Sequence, residues 1–264
     1  MSDAPPSAAD LMLDLLAAAD GGRLTVQDLC RGGAAMGLGE AVVRVALTRL
    51  GQQNKIRKVD RGAYTIHPAR RSLQEDVEHW LDRLNWMVTW RGRWIAVHDP
   101  ELARLSKTQL RHHRRALALR GFRTWTPGLH LRPDNLRGGV QAMRAQLYDL
   151  GLVENTPVFV ASQLTEAQTQ AVMKLWDVGA LQANYTDLLK QLNASEKGLR
   201  KLDDLAAARE CLLLGRHVIS QIVRDPLLPK EMMGGSERQV LIERTQAYQT
   251  RSKAIWARVL NPAA

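Results

Sequence analysis

Two cysteines in 264 residues leave little material for a disulfide or metal-bound framework. Cys30 and Cys211 stand far apart and in no CxxC or Cys/His pattern, which makes them reduced structural thiols and implies no zinc site. Long apolar runs are missing as well: none approaches the roughly 20 residues needed to cross a bilayer. The start, "MSDAPPSAAD", lacks the basic region of a signal peptide, so a cytoplasmic protein with no membrane partner is expected. There is no GxSxG, no Walker loop, no HExxH and no Cys/His pair at catalytic spacing. No catalytic residue, no metal ligand and no cofactor is therefore expected. Internal repeats and long low-complexity tracts are also absent.

What the chain has in excess is positive charge. Lys and Arg number 37 against 27 Asp and Glu, a net charge of +10. That balance points to a polyanionic partner, because each basic group placed near a phosphate releases a condensed counterion. Charge alone fits DNA, RNA or an anionic membrane. The length suits two or three domains with a real core, at roughly 100–150 residues each.

The first 68 residues read as three helices and a hairpin. Residues 8–20 place Leu11, Leu15 and Ala18 on one face and stop at Gly21-Gly22. Thr25 is a natural N-cap for "VQDLCRGGAAM", and "GLG" at 37–39 makes a tight turn before "EAVVRVALTRLGQQN". "KIRKV" and "AYTIH" follow as short strands joined at Asp60, Arg61 and Gly62. This is the order of a winged helix-turn-helix.

In its third helix Val43, Ala46, Leu47 and Leu50 form a stripe for burial, and Glu40, Arg44, Thr48 and Arg49 occupy the opposite face. Such a face fits the major groove, where Arg pairs with guanine, Thr touches base or phosphate and Glu accepts from cytosine. From Arg44 to Arg61 six basic residues (Arg44, Arg49, Lys55, Arg57, Lys58, Arg61) meet one acid, Asp60. The wing residues Arg57, Lys58 and Arg61 can lie along phosphates or reach the minor groove.

Residues 69–90, with Leu73, Val77, Trp80, Leu84 and Met87 at helical spacing, are expected to form a connecting helix whose Trp80, Trp86 and Trp90 pack inside. Residues 91–163 alternate strand, helix, strand, strand, helix, strand ("TWTPGLHLRP" being one bent strand or two), the ferredoxin-like βαββαβ order. The basic run "RHHRRALALRGFR" at 111–123 sits on the first helix of that section. It fits a phosphate-binding surface and a solvated or dimer-contact face about equally, since no Gly-rich phosphate loop accompanies it. Residues 164–264 read as helical throughout, interrupted by "VRDPLLPKEMM". There Pro226 and Pro229 restrict Asp225 and Leu228 and force an extended corner. Asp225 can accept backbone donors in that turn, or pair with Arg224 or a neighbouring domain.

The fold class expected is thus α+β and multidomain: a winged helix-turn-helix, a ferredoxin-like middle domain and an all-helical C-terminal domain. "AVVRVALTRL" with "RGAYTI", "RWIAVHD", "LRGFRTWTPGLHLRP", "LWDVGALQANYTDLL" and "VRDPLLPKEM", in this order, resemble the phenylacetic acid catabolon repressor (PaaX) family of bacterial regulators over nearly the whole chain. The resemblance implies a transcriptional repressor that binds double-stranded DNA at a palindromic operator as a homodimer, dimerised through its middle domain. It also implies release by a small-molecule effector, an aryl acyl-CoA thioester, sensed in the C-terminal domain. Trp176 and Tyr185 could then stack on an aromatic acyl group, and Arg209, Arg216 and His217 could pair with its carboxylate or phosphates. The chain departs from the family pattern at Arg216 to Ser220, before the corner, and at Met233, Gly234 and Gly235, after it, which leaves the effector's identity open. Two alternatives stand beside this reading: a metal-dependent nuclease using Asp99 at a ferredoxin-like dimer, and a regulator controlled by a protein partner.

Overall fold

The computed structural model describes residues 6–60, 62–67, 79–99 and 106–260. These residues form nine α-helices and two antiparallel sheets, helical from Glu166 onward. They gather into two compact units, neither continuous in sequence. The first comprises Met1–Arg70, Leu188–Ile219 and Glu243–Ala264, the second Arg71–Asp187 and Ser220–Ile242. Residues 164–264, expected to form one domain, are divided between these two units.

In the first unit α1 (Ala8–Ala18) starts at Ser7, whose side chain accepts from the Asp10 N–H at 3.2 Å. α2 (Val26–Ala35) starts at Thr25, as expected, in a capping box: Thr25 Oγ1 accepts from the Asp28 N–H, and the Asp28 carboxylate accepts from the Thr25 N–H. α3 (Glu40–Gln52) buries Val43, Ala46, Leu47 and Leu50. They pack in the unit that also buries Leu11, Met12, Leu15 and Leu16 of α1 and Leu29 of α2.

The hairpin strands β2 (Ile56–Val59) and β3 (Ala63–Ile66) pair antiparallel, Lys58 opposite Tyr64. Asp60 and Gly62 at the turn take positive φ, 44° and 88°. A third strand that the sequence pattern did not suggest, β1 (Arg23–Thr25), pairs with the other edge of β3, Leu24 opposite Tyr64.

The second unit opens differently from the expected connecting helix. Residues 68–78 lie outside the described residues; Trp80–Trp86 is a 3-10 helix, and Met87 caps it in extended conformation. Trp80 is buried, Arg83 lies over the Trp86 ring at 5.5 Å, and Trp90 meets Trp94 edge-on at 5.0 Å. A four-stranded antiparallel sheet follows, formed by β4 (Trp94–His98), β5 (Arg123–Thr126), β6 (Leu129–Pro133) and β7 (Val158–Ala161) in the order β5-β6-β4-β7. "TWTPGLHLRP" is two strands, turning at Gly128. Helices α4 (Lys107–Leu119) and α5 (Gly139–Asp149) supply Ala116, Leu117, Met143 and Leu147 to a core with Ile95, Val97, Phe122 and Val158. Strand alternation turns Trp94 the other way, and it stacks on Trp176 with ring centroids 6.1 Å apart. α6 (Glu166–Met173), α7 (Val178–Leu199), α8 (Asp204–Arg224) and α9 (Glu237–Leu260) complete the chain.

The angle at which α3 meets α2 depends on a missing side chain. A Cβ on Gly33 of α2 would lie 2.4 Å from Cγ2 of Val43, a fully buried residue of α3. Valine in a helix has essentially one rotamer, so it cannot step aside. Gly33→Ala should therefore cost about 1–3 kcal/mol despite alanine's better helix propensity. Urea unfolding checks it; a variant as stable as the parent would mean that α2 and α3 are free to part.

Candidate nucleic-acid interface

Burial of one stripe of α3 leaves the rest of the helix in water. Glu40, Arg44, Thr48 and Arg49 are all exposed. Arg44 donates to Glu40 Oε1 through both Nε (2.8 Å) and Nη2 (2.5 Å), a pair one helical turn apart that raises the Arg44 pKa and holds the guanidinium along the helix. Thr48 Oγ1 donates to the Arg44 carbonyl at 3.0 Å, so its hydroxyl is tied to its own helix. On the hairpin Arg57 and Lys58 are exposed and Lys55 is half-buried. Arg61 lies outside the described residues. The expected DNA-contacting residues that can be placed thus belong to one unit, on one helix and one hairpin. Two valines had not been counted among them: Val42 is 48% and Val45 66% exposed on the same helix.

The expected effector contacts divide between the units. In the second, Trp176 is buried, and its Nε1 donates to the Gly121 carbonyl at 3.1 Å while its ring covers Trp94. Tyr185 is buried too, with its hydroxyl donating to Asp225 Oδ2. In the first, Arg209 is exposed, His217 is half-buried, and Arg216 pairs with Asp14 of α1. Trp176 and Tyr185 are therefore core residues, each with its polar atom in use.

Asp225 anchors the corner between α8 and α9. Its Oδ2 accepts from Tyr185 and from Arg238 Nε at 3.1 Å, and its Oδ1 from the Leu227 N–H at 2.6 Å. Asp225 is ion-paired with Arg238, and its neighbour Arg224 is exposed. Burial, and next the adjacent carboxylate, push the Tyr185 phenol above its ordinary pKa. Burial acts to lower Arg238, but attraction to Asp225 and Tyr185 outweighs it and the pKa is raised.

Leu227 takes a left-handed φ of 51°, which costs a branched residue about 1–2 kcal/mol. Its N–H is held by Asp225, and its carbonyl accepts from Asn135 Nδ2 at 2.7 Å. Arg83 Nη2 donates to the Asp225 carbonyl at 2.9 Å. Arg132 is completely buried and donates to the Arg120 carbonyl at 2.6 Å and to Asn135 Oδ1 at 3.1 Å. Its pKa is pushed down to about 9 by burial and by the nearby Arg120 and Arg83. Gly121, at φ +74°, lies so close that a Cβ there would sit 2.9 Å from the Pro226 backbone.

The basic run at 111–123 is split by burial. Arg111, His112, Arg114 and Arg115 face solvent, whereas His113 and Arg120 are buried. His113 Nδ1 accepts from the Val153 N–H at 3.3 Å, which leaves Nε2 to donate to Asp99 Oδ2 at 2.5 Å. His130 Nε2 meets Asp99 Oδ1 at 2.9 Å, and its Nδ1 meets Thr124. Both oxygens of Asp99 are engaged inside the fold. Among the described residues, no group of three or more His, Cys, Asp or Glu could hold a metal ion, and no helix is long and apolar enough to cross a membrane.

Residues 176–258 match the model of the PaaX-like protein C-terminal domain, a span that includes the Asp225 corner. No curated protein has a significantly similar sequence. The fold is shared with the uncharacterized protein Rv0674 from Mycobacterium tuberculosis, at a TM-score of 0.65 and 18% identity, over 96% of this chain and 98% of that one.

Removing the Asp225 carboxylate would strand the Arg238 cation and the Tyr185 hydroxyl in the interior. Asp225→Ala should cost about 3–5 kcal/mol in urea unfolding; a loss below 1 kcal/mol would mean the corner does not depend on this pair. Asp14 gives a pH signature. Burial raises its carboxyl from 3.8 to about 6, against the opposing attraction of Arg216. The folded state thus binds this proton more tightly than the unfolded chain. The associated stability is complete below about pH 4 and is lost as pH rises through about 6. The Asp14 and Arg216 side chains remain 29% and 35% exposed, so water reduces the effect to about 1 kcal/mol. The stability of the parent relative to Asp14→Asn should fall by that amount between pH 4 and pH 7, and an unchanging difference would contradict the assignment.

Proposed function

We propose that the chain, whose residues 176–258 match the PaaX-like protein C-terminal domain, is a DNA-binding transcriptional repressor whose first unit carries a winged helix-turn-helix. The observation that carries the reading is the division of α3. One face is packed against α1 and α2, while the other holds Arg44, Thr48 and Arg49 in water beside a hairpin bearing Arg57 and Lys58. α3 is the recognition helix, placed in the major groove, and the β2–β3 hairpin is the wing, laid along the phosphates. The net charge of +10 favours a polyanion and would make binding strongly salt-dependent.

The second unit carries the ferredoxin-like element: the strand order β5-β6-β4-β7 with two helices packed on one face supports it. Two copies bind a palindromic operator, and an aryl acyl-CoA thioester releases them by binding better to a dimer geometry that does not match the half-site spacing. Trp176 and Tyr185 act as scaffold in this scheme, and Arg209 and His217 remain the candidates for contacting the effector. The nuclease alternative finds no support in the position of Asp99, whose carboxylate is already taken by His113 and His130.

The test is a gel shift on a duplex selected by the full-length protein from a random library. Arg44→Ala should weaken binding roughly 10- to 100-fold and relax preference at one position, whereas Lys58→Ala should weaken all sequences alike and lower the salt slope by about 1. An aryl acyl-CoA should dissociate the parent complex. Unchanged affinity in Arg44→Ala refutes this placement of α3, and a complex that persists across an acyl-CoA panel refutes the effector.

A further inference from the structure

The outward face of α3 is more apolar than its arginines suggest. At about 100° per residue, Ala41, Val45, Thr48 and Gln52 cluster around the direction opposite the buried stripe, with Arg44 and Arg49 on either flank. Val45 is 66% exposed and Val42, nearer the edge, 48%. Single exposed apolar residues are ordinary on protein surfaces. Here the apolar groups are gathered at the centre of one face, and β-branched valine is not favoured there by helix propensity.

The polar groups beside them are partly occupied within the helix. The Thr48 hydroxyl donates to the Arg44 carbonyl, and Arg44 is forked onto Glu40. Apart from the Gln52 amide at the C-terminal end of the helix, the central outward surface is left with the Ala41 methyl, the Val45 isopropyl group and the aliphatic part of Thr48. Cations flanking an apolar strip complement a groove walled by phosphates and floored by base edges. The one apolar feature on that floor is the 5-methyl group of thymine.

We propose that α3 reads thymine methyl groups, with Val45 as the principal contact and Ala41 and Thr48 beside it. This rests on the DNA-binding reading above and adds to it the base that the helix selects. Val45 takes the thymine methyl out of water, while Arg44 and Arg49 provide attraction to phosphate or guanine. A cytosine at the same position offers no methyl, and the contact is lost.

The test uses the full chain and the duplex it selects from a random library, resynthesised with deoxyuridine in place of thymidine at one position at a time. Deoxyuridine pairs as thymidine does and lacks only the methyl. At the Val45 position the parent should bind about fourfold more weakly, the effect of one methyl group left in water. Val45→Ala should bind thymidine and deoxyuridine duplexes equally. Uniform affinity of the parent for every deoxyuridine duplex overturns the proposal, as does an equal loss in parent and variant. Failure to select any duplex would instead refute the DNA-binding reading on which it rests. Sedimentation of Val45→Asp without DNA excludes the other occupant: unchanged self-association is expected, and dissociation of a dimer would assign the valines to a contact between copies.

Discussion

A buried carboxylate at a chain corner sets the conditions for the interior of the second unit. Asp225 is 6% exposed, and a charge so placed is tolerable only with its partners fixed around it. Those partners come from distant stretches: Tyr185 from α7, Arg238 from α9, and the Leu227 N–H from the corner itself. The two prolines hold the chain extended and remove competing donors. Leu227 can then occupy a left-handed conformation because both of its backbone polar groups are bound. Asn135 and Arg132 bring β6 and its following loop to the same place. A motif that reads in sequence as a break in helix is the point where the strand and helix parts of this unit are joined by hydrogen bonds.

Much of the architecture was legible because its signals are local. Thr25 is an N-cap in sequence and in structure, where Asp28 completes a capping box, and the i, i+3, i+4, i+7 stripe of Val43, Ala46, Leu47 and Leu50 is buried as its spacing implies. The strand and helix order of residues 94–161 was legible for the same reason. β1 escaped notice because three residues cannot display a period, and its identity as a strand comes from pairing with β3, some forty residues on. The 80–86 segment repeats its apolar residues as a helix would, yet tightens into a 3-10 turn, a difference that spacing alone does not reveal.

The residues that sequence reasoning placed least well are those with an aromatic or charged side chain in or beside a helix. Trp176 and Tyr185 carry the groups that a ligand site would need, and both use them on the protein itself. In "RHHRR", one histidine points inward to Asp99 while its neighbours face water, because 100° of rotation separates adjacent residues on a helix. The Asp225–Arg238 pair had no local signal: they stand thirteen positions apart with a corner between them.

In the proposed DNA complex the two properties of α3 would divide the work of recognition. Its arginines and those of the hairpin act through charge, which is strong at low salt, long in range and indifferent to sequence. Such a surface alone would bind any duplex. Its valines would act only at contact and only where a methyl group is offered, so their contribution would be insensitive to salt and depend on the base. Placing both on one rigid helix, with the opposite stripe buried and Gly33 allowing close approach to α2, fixes the distance between them. On this proposal, affinity would vary with ionic strength while discrimination between thymine and cytosine at the contacted position would not.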